Sequence, residues 1–103
     1  MTRIFVNGTF DILHRGHLEL LAYARSQGDY LLVGVDSDRR VQEKKGQTRP
    51  INTYDDRAIM LQHIRWVDEV KEFDTDEDLI NLIKNHEFVL LIVRAHMELY
   101  HLY

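Results

Sequence analysis

The chain has no cysteine. That excludes disulfides and thiol chemistry and fits a reducing compartment. No apolar run approaches the roughly 20 residues that a membrane-spanning helix needs. Nor is there a signal-peptide pattern, because Met1, Thr2 and Arg3 lead straight into a short apolar strand. Positive charge is in deficit: 13 Lys and Arg stand against 17 Asp and Glu, for a formal net charge of −4. A nucleic-acid binder wants a clustered basic face, and no stripe of alternating basic and aromatic residues supplies one here. These absences set the expectation of a soluble, cytoplasmic protein whose partners are neither nucleic acid nor membrane. The 103 residues suffice for a single domain, residues 1–103, with one core.

What is present alternates. Residues 4–7 form a short β-rich run ended by Gly8 and read as a buried first strand. From Leu18 the pattern becomes helical, with Leu18, Leu21, Ala22 and Arg25 on one stripe and Gly28 as a C-terminal stop. Residues 31–35 are continuously apolar, as suits a parallel strand covered on both faces. Residues 36–46 are charged and read as a short helix or loop. Residues 47–52 carry the only proline, Pro50, and read as a loop. Thr53 then caps a helix whose apolar face is Ile59, Leu61 and Ile64. Residues 70–73 read as a third strand. Thr75 caps another helix with Asp76, Glu77 and Asp78 in its first turn and Leu79, Leu82 and Ile83 inside. Residues 88–93 give a fourth apolar strand. Strands alternating with helices predict an α/β, doubly wound parallel sheet, whose ligands bind beyond the carboxyl ends of the strands. The loop after strand one, residues 8–17, is the expected site.

That loop reads Gly8-Thr9-Phe10-Asp11-Ile12-Leu13-His14-Arg15-Gly16-His17. It leaves a strand and enters a helix, whose unpaired N–H groups and positive dipole end attract anions. Gly8 and Gly16 let backbone approach a phosphate closely. His14 and His17 add donors able to stabilise charge on a breaking phosphoryl bond. Their spacing alone would suit solvated histidines or a metal, but the glutamate of a His-Glu-x-x-His zinc helix is absent, and no metal ligands are assigned.

The run GTFDILHRGH resembles the signature of the cytidylyltransferase-like, HxGH-type nucleotidyltransferases, a Rossmann-like superfamily. The likeness covers about residues 4–90. Residues 28–35 resemble the family's second strand. Lys45-Gly46-Gln47-Thr48-Arg49-Pro50-Ile51-Asn52 is similar to the KGxxRPxN of heptose phosphate adenylyltransferases. Asp56-Arg57 and the run Ile64-Arg65-Trp66-Val67-Asp68-Glu69-Val70 are shared with glycerol-3-phosphate cytidylyltransferases. The resemblance implies a Mg²⁺-dependent enzyme that moves a nucleoside monophosphate from ATP or CTP to a phosphorylated sugar or polyol and releases pyrophosphate. It assigns catalysis to His14, His17 and Lys45. Nucleotide binding falls to Gly8, Thr9, Phe10, His14, Gly16 and His17, and acceptor binding to Asp11, Lys44, Arg57 and Arg65. Trp66 and Val67 are expected in the core. A homodimer is implied as well.

The likeness ends at the fourth strand. Relatives of this kind continue to a late Ser/Thr-rich helix start that holds the triphosphate. Residues 94–103, which include Arg94, His96 and His101, match none of that. They make an atypical tail on a C-terminally shortened member. An alternative therefore stands beside the enzyme: a nucleotide-binding or interaction module that has lost turnover.

Overall fold

The computed structural model describes residues 2–85 and the backbone of residues 90–92. In chain order the elements are β1 (Arg3–Gly8), α1 (Arg15–Ser26), β2 (Tyr30–Asp36), α2 (Asp38–Lys45), α3 (Tyr54–Gln62), β3 (Glu69–Phe73), α4 (Asp76–Asn85) and β4 (Leu90–Ile92). The strands form one sheet in the order β3-β2-β1-β4, and every pairing is parallel. The chain steps one way from β1 through β2 to β3, then crosses back to place β4 on the far side of β1. The carboxyl end of β1 therefore lies at the reversal of strand order, where open α/β sheets build their sites. This is the Rossmann-like fold that the alternation predicts.

Register explains the core. Ile4 pairs with Leu31 and Val6 with Val33, so these residues and Val35 share one face of the sheet. Leu20, Leu21 and Ala24 of α1 and Leu61 of α3 pack onto that face in one cluster. Trp66 and Val67 lean against the same cluster, as expected. On the other face a side chain at Gly34 would stand 2.7 Å from the Phe5 ring and 3.4 Å from Phe73. Glycine here is a matter of space, since no fold-back of the backbone occurs. Gly28 acts the same way: a Cβ there would meet the Thr2 carbonyl oxygen at 2.5 Å.

Several local expectations shift. β1 runs through Gly8 instead of ending before it. α1 begins at Arg15, three residues earlier than the apolar pattern, because His14 caps it. Its buried face is His17, Leu20, Leu21 and Ala24, whereas Leu18 is 39% exposed. Packing of Leu20, Leu21 and Ala24 on the sheet turns the stripe away from the one read off the sequence. In α3 the buried residues are Arg57, Ala58 and Leu61, and Ile59 points outward. Residues 36–46 resolve into a helix capped by Ser37. Of the fourth strand, Phe88 and Val93 lie outside the described residues, as does the whole tail 94–103. Among the described residues no helix is long and apolar enough to cross a membrane.

Candidate functional site

The start of α1 is built by its two histidines. His14 is the N-cap, in extended conformation, and its Nδ1 accepts the Gly16 N–H at 3.0 Å. His17, one turn on, returns the favour: its Nδ1 accepts the His14 N–H at 3.1 Å. The pair forms a reciprocal capping box with imidazoles where Ser and Glu usually stand. Because each Nδ1 is an acceptor, each ring carries its proton on Nε2, and each is set as an Nε2–H donor. The rings lie 4.0 Å apart between centroids. Burial, then the neighbouring His14, then Lys45 hold the His17 pKa down at about 4. His17 is therefore an uncharged donor at neutral pH.

The loop before the helix is shaped by Phe10, a non-glycine residue with φ of 52°. This left-handed conformation is costly for such a residue and persists only where surroundings over-determine it. Here the Phe10 ring is buried, with its centroid 5.4 Å from that of His17. Asp11 ties the loop to the Pro50 loop: its carboxylate accepts the Ile51 N–H at 2.7 Å and the Asn52 N–H at 2.8 Å. Asn52 Nδ2 donates back to the Asp11 carbonyl at 2.6 Å.

A pocket of about 530 Å³ opens over these residues, lined by Asn7, Gly8, Thr9, Phe10, Asp11, Ile12, His14, His17, Asp36, Arg40, Lys44, Lys45 and Arg49. Eight of the expected residues thus meet in one place: Gly8, Thr9, Phe10, Asp11, His14, His17, Lys44 and Lys45. Gly16 serves through its backbone N–H on His14. Lys44 and Lys45 arrive on the last turn of α2 and are exposed there.

Two of the residues assigned to the acceptor, Arg57 and Arg65, do not line this pocket. Arg57 is a clamp, 1% exposed. Its Nε donates to the Asn52 carbonyl at 3.0 Å, Nη1 to the Thr9 carbonyl at 2.8 Å and Nη2 to Asp38 at 2.7 Å. Each guanidinium nitrogen is spent on holding three segments together. It lines only the neighbouring pocket of about 470 Å³, with Ile59 and Met60. Arg65 is exposed between α3 and the amino end of β3, whereas the histidines follow the carboxyl end of the parallel β1. Topology separates it from the site.

Sequence reasoning passed over Asp36, Arg40 and Arg49. Asp36 is the last residue of β2, the place where the strand-end rule looks for ligands. Its Oδ2 accepts from the Thr9 hydroxyl at 3.1 Å and its Oδ1 from Arg40 Nε at 2.9 Å. Arg40 Nη2 reaches Asp76 at 2.8 Å, and its guanidinium lies 5.0 Å over the Phe73 ring. Arg49 sat inside the KGxxRPxN run without being singled out.

The family model described as cytidylyltransferase-like matches residues 5–100. Among curated proteins, the bifunctional protein HldE of Campylobacter fetus is 53% identical over 94 residues, covering 91% of this chain and 20% of the relative. The HldE of Aliarcobacter butzleri is 49% identical over 88 residues, covering 84% of this chain and 18% of the relative. This chain spans about a fifth of the length of these relatives. Among solved structures, the lipopolysaccharide core biosynthesis protein from Thermoplasma volcanium superposes with a TM-score of 0.79 at 25% identity, over 88% of this chain and 72% of that one.

Proposed function

The chain belongs to the cytidylyltransferase-like family, and we propose that it transfers a nucleoside monophosphate from ATP or CTP to a phosphorylated sugar or polyol, with release of pyrophosphate. The observation that carries this reading is the start of α1. Two imidazoles are fixed there as Nε2–H donors, no acidic residue occupies the first turn, and Lys44, Lys45 and Arg49 share the pocket. Such a site suits a polyanion whose charge shifts during reaction.

A phosphate monoester oxygen on the acceptor is already a nucleophile near neutral pH, so no general base is needed. In-line attack on the α-phosphorus forms the new P–O bond, and the bond to the leaving pyrophosphate breaks. Catalysis is then positioning and charge neutralisation. His14 and His17 donate to the oxygens that gain charge, while Lys45 and Lys44 neutralise the phosphates. The pocket's two carboxylates are committed, Asp11 to backbone N–H groups and Asp36 to Thr9 and Arg40. Mg²⁺ would therefore be held by the triphosphate and water, and its contribution would be to neutralise the β and γ oxygens.

The resemblance of residues 45–52 to heptose phosphate adenylyltransferases favours ATP and a sugar phosphate. The likeness to a lipopolysaccharide core biosynthesis protein accords with a sugar acceptor. A cytoplasmic homodimer completes the proposal, with exposed Ile12, Ile51, Ile59 and Met60 as apolar surface to cover; light scattering that gives a monomer at high concentration removes the dimer. The alternative of a module without turnover draws on residues 94–103, which carry no Ser/Thr-rich helix start. A nucleotide panel with pyrophosphate release as readout, run beside calorimetric titration of ATP and CTP with Mg²⁺, tests both. Release with one nucleotide and a sugar phosphate supports the enzyme. Binding without release supports the module, and absence of binding removes both.

A further inference from the structure

We infer that Thr9 and Asp36 form a hydroxyl-reading wall of the pocket, one that selects a polyhydroxylated acceptor over a plain phosphate monoester. This rests on the nucleotidyl-transfer reading above and goes on to say which group reads the acceptor.

Asp36 is 8% exposed yet lines the pocket. Arg40 Nε holds its Oδ1 at 2.9 Å. A carboxylate in an ion pair can only accept hydrogen bonds. The Thr9 hydroxyl beside it, with Oγ1 3.1 Å from Oδ2, must therefore give Asp36 its single proton. What Thr9 has left is lone pairs. A phosphate oxygen is an acceptor too and gains nothing from them. A substrate hydroxyl is a donor and does.

The rotor is locked from behind. Arg40 cannot swing away from Asp36 cheaply, because Nη2 is bonded to Asp76 and the guanidinium is packed over Phe73. The pocket is thus polarised. His14, His17, Lys44 and Lys45 present donors suited to phosphates, and the Thr9–Asp36 side presents acceptors suited to hydroxyls. A pocket that offers both kinds of group fits a ligand that is a phosphate at one end and a polyol at the other.

The test compares matched probes on the full chain in the presence of nucleotide. Affinity is measured for glycerol 3-phosphate against propyl phosphate, and for glucose 1-phosphate against cyclohexyl phosphate. The unaltered chain should prefer each hydroxylated member by about tenfold, the scale of one well-made hydrogen bond with its partner otherwise stranded. Thr9→Val keeps the shape and removes the hydroxyl; the preference should fall to about one. Thr9→Ser should restore it. Asp36→Asn offers N–H to Thr9, which turns the hydroxyl proton toward the pocket, and should also abolish the preference. Because the readout is a ratio, a general loss of affinity does not imitate it, and circular dichroism checks that Asp36→Asn folds. The nucleotide's ribose offers the same hydroxyl chemistry, so ATP is compared with 2′,3′-dideoxy-ATP in parallel. If Thr9→Val collapses that ratio instead, the assignment to the acceptor is overturned. A preference that survives Thr9→Val while nucleotide still binds overturns the inference and leaves nucleotidyl transfer standing. If the unaltered chain binds no nucleotide, the underlying reading fails and this one with it.

Discussion

The four helices of the described residues begin in two different ways. α2 starts with Ser37 on the Arg40 N–H and Asp38 in its first turn; α3 starts with Thr53 and follows it with Asp55 and Asp56. At α4 the Thr75 hydroxyl and the Asp78 carboxylate cap each other's N–H groups, with Asp76 and Glu77 alongside. Each of these three ends settles its own dipole, with a cap worth about 1 kcal/mol and acids worth about 0.3–1 kcal/mol each. α1 has the capping geometry but no acid in its first turn, and its caps are imidazoles. Its first turn brings no negative charge of its own. Three helix starts carry acids of their own; the fourth carries none, and under the proposed function it receives the phosphates of the nucleotide.

Arg57 joins the two kinds of start, since it bonds both Asp38 at α2 and the Thr9 carbonyl in the loop before α1. Replacing it should therefore do the greatest harm. Arg57→Ala leaves a buried gap and unsatisfied oxygens, and should cost about 3–5 kcal/mol. Urea unfolding reads this directly. A loss under about 1 kcal/mol would mean that the clamp is incidental.

Next come the caps of α1. His14→Ala and His17→Ala should each lower turnover about a hundredfold or more, as loss of a transition-state donor does. His14→Asn separates the two roles, because asparagine is a good N-cap. It should keep stability and still lose turnover. Wild-type turnover in both alanine variants would sink the assignment.

His17 also makes the α1 start sensitive to acid in a way that Ser and Thr caps are not. Its folded pKa of about 4 lies below the ordinary 6.5. Between those values the unfolded chain binds the proton and the folded chain does not. The stability contributed by neutral His17 is thus whole above about pH 6.5 and is lost as pH falls through about 4, with a total of up to about 3 kcal/mol. Thermal midpoints from pH 7 to pH 4 should fall less in His17→Asn than in the unaltered chain. Equal slopes would remove His17 as the cause.

The open start was legible in the sequence because its function is local. Ten consecutive residues make the loop, the caps and the helix entry, and the Gly-Thr-Phe-Asp and His-x-Gly-His pattern is long enough to be specific. Lys45 was legible too, since it heads the matched run, and Lys44 was singled out as its neighbour; both line the pocket. The misses have a different physics. Arg57 and Arg65 were both assigned to the acceptor by resemblance; only tertiary packing decides that one is 1% exposed and that the other precedes the amino end of β3. Asp36 was hidden by its place at the end of an apolar run, where it read as a boundary. The stripe on α1 was misread because Leu18 and Leu21 suit a helix equally well in either rotation. Packing against the sheet selects the rotation, and the sequence of one helix does not contain it.

The smallest effect gives the sharpest test of the comparison, because it converts one kind of start into the other. Arg15 is the first residue of α1, and its side chain is 91% exposed and paired only across the surface with Glu19 at 2.7 Å. Arg15→Asp gives α1 the first-turn acid that the other three helices have. The new carboxylate should gain about 0.5 kcal/mol from the dipole. It should lose a similar amount through the broken surface pair and repulsion with Glu19, four residues on. Stability should therefore stay within about 0.5 kcal/mol. Nucleotide affinity should not: a carboxylate at the mouth of the anion site should weaken ATP binding about three- to fivefold at low salt, equivalent to roughly 1 kcal/mol. The loss should shrink in 1 M salt, where the screening length is about 3 Å. Arg15→Gln, which removes charge without adding an acid, should fall between. Asp55→Asn at α3 should do the reverse, costing about 0.3–1 kcal/mol of stability with ATP affinity unchanged. If Arg15→Asp binds ATP as the unaltered chain does, the α1 start is not reserved for the nucleotide, and its missing acid has no functional meaning.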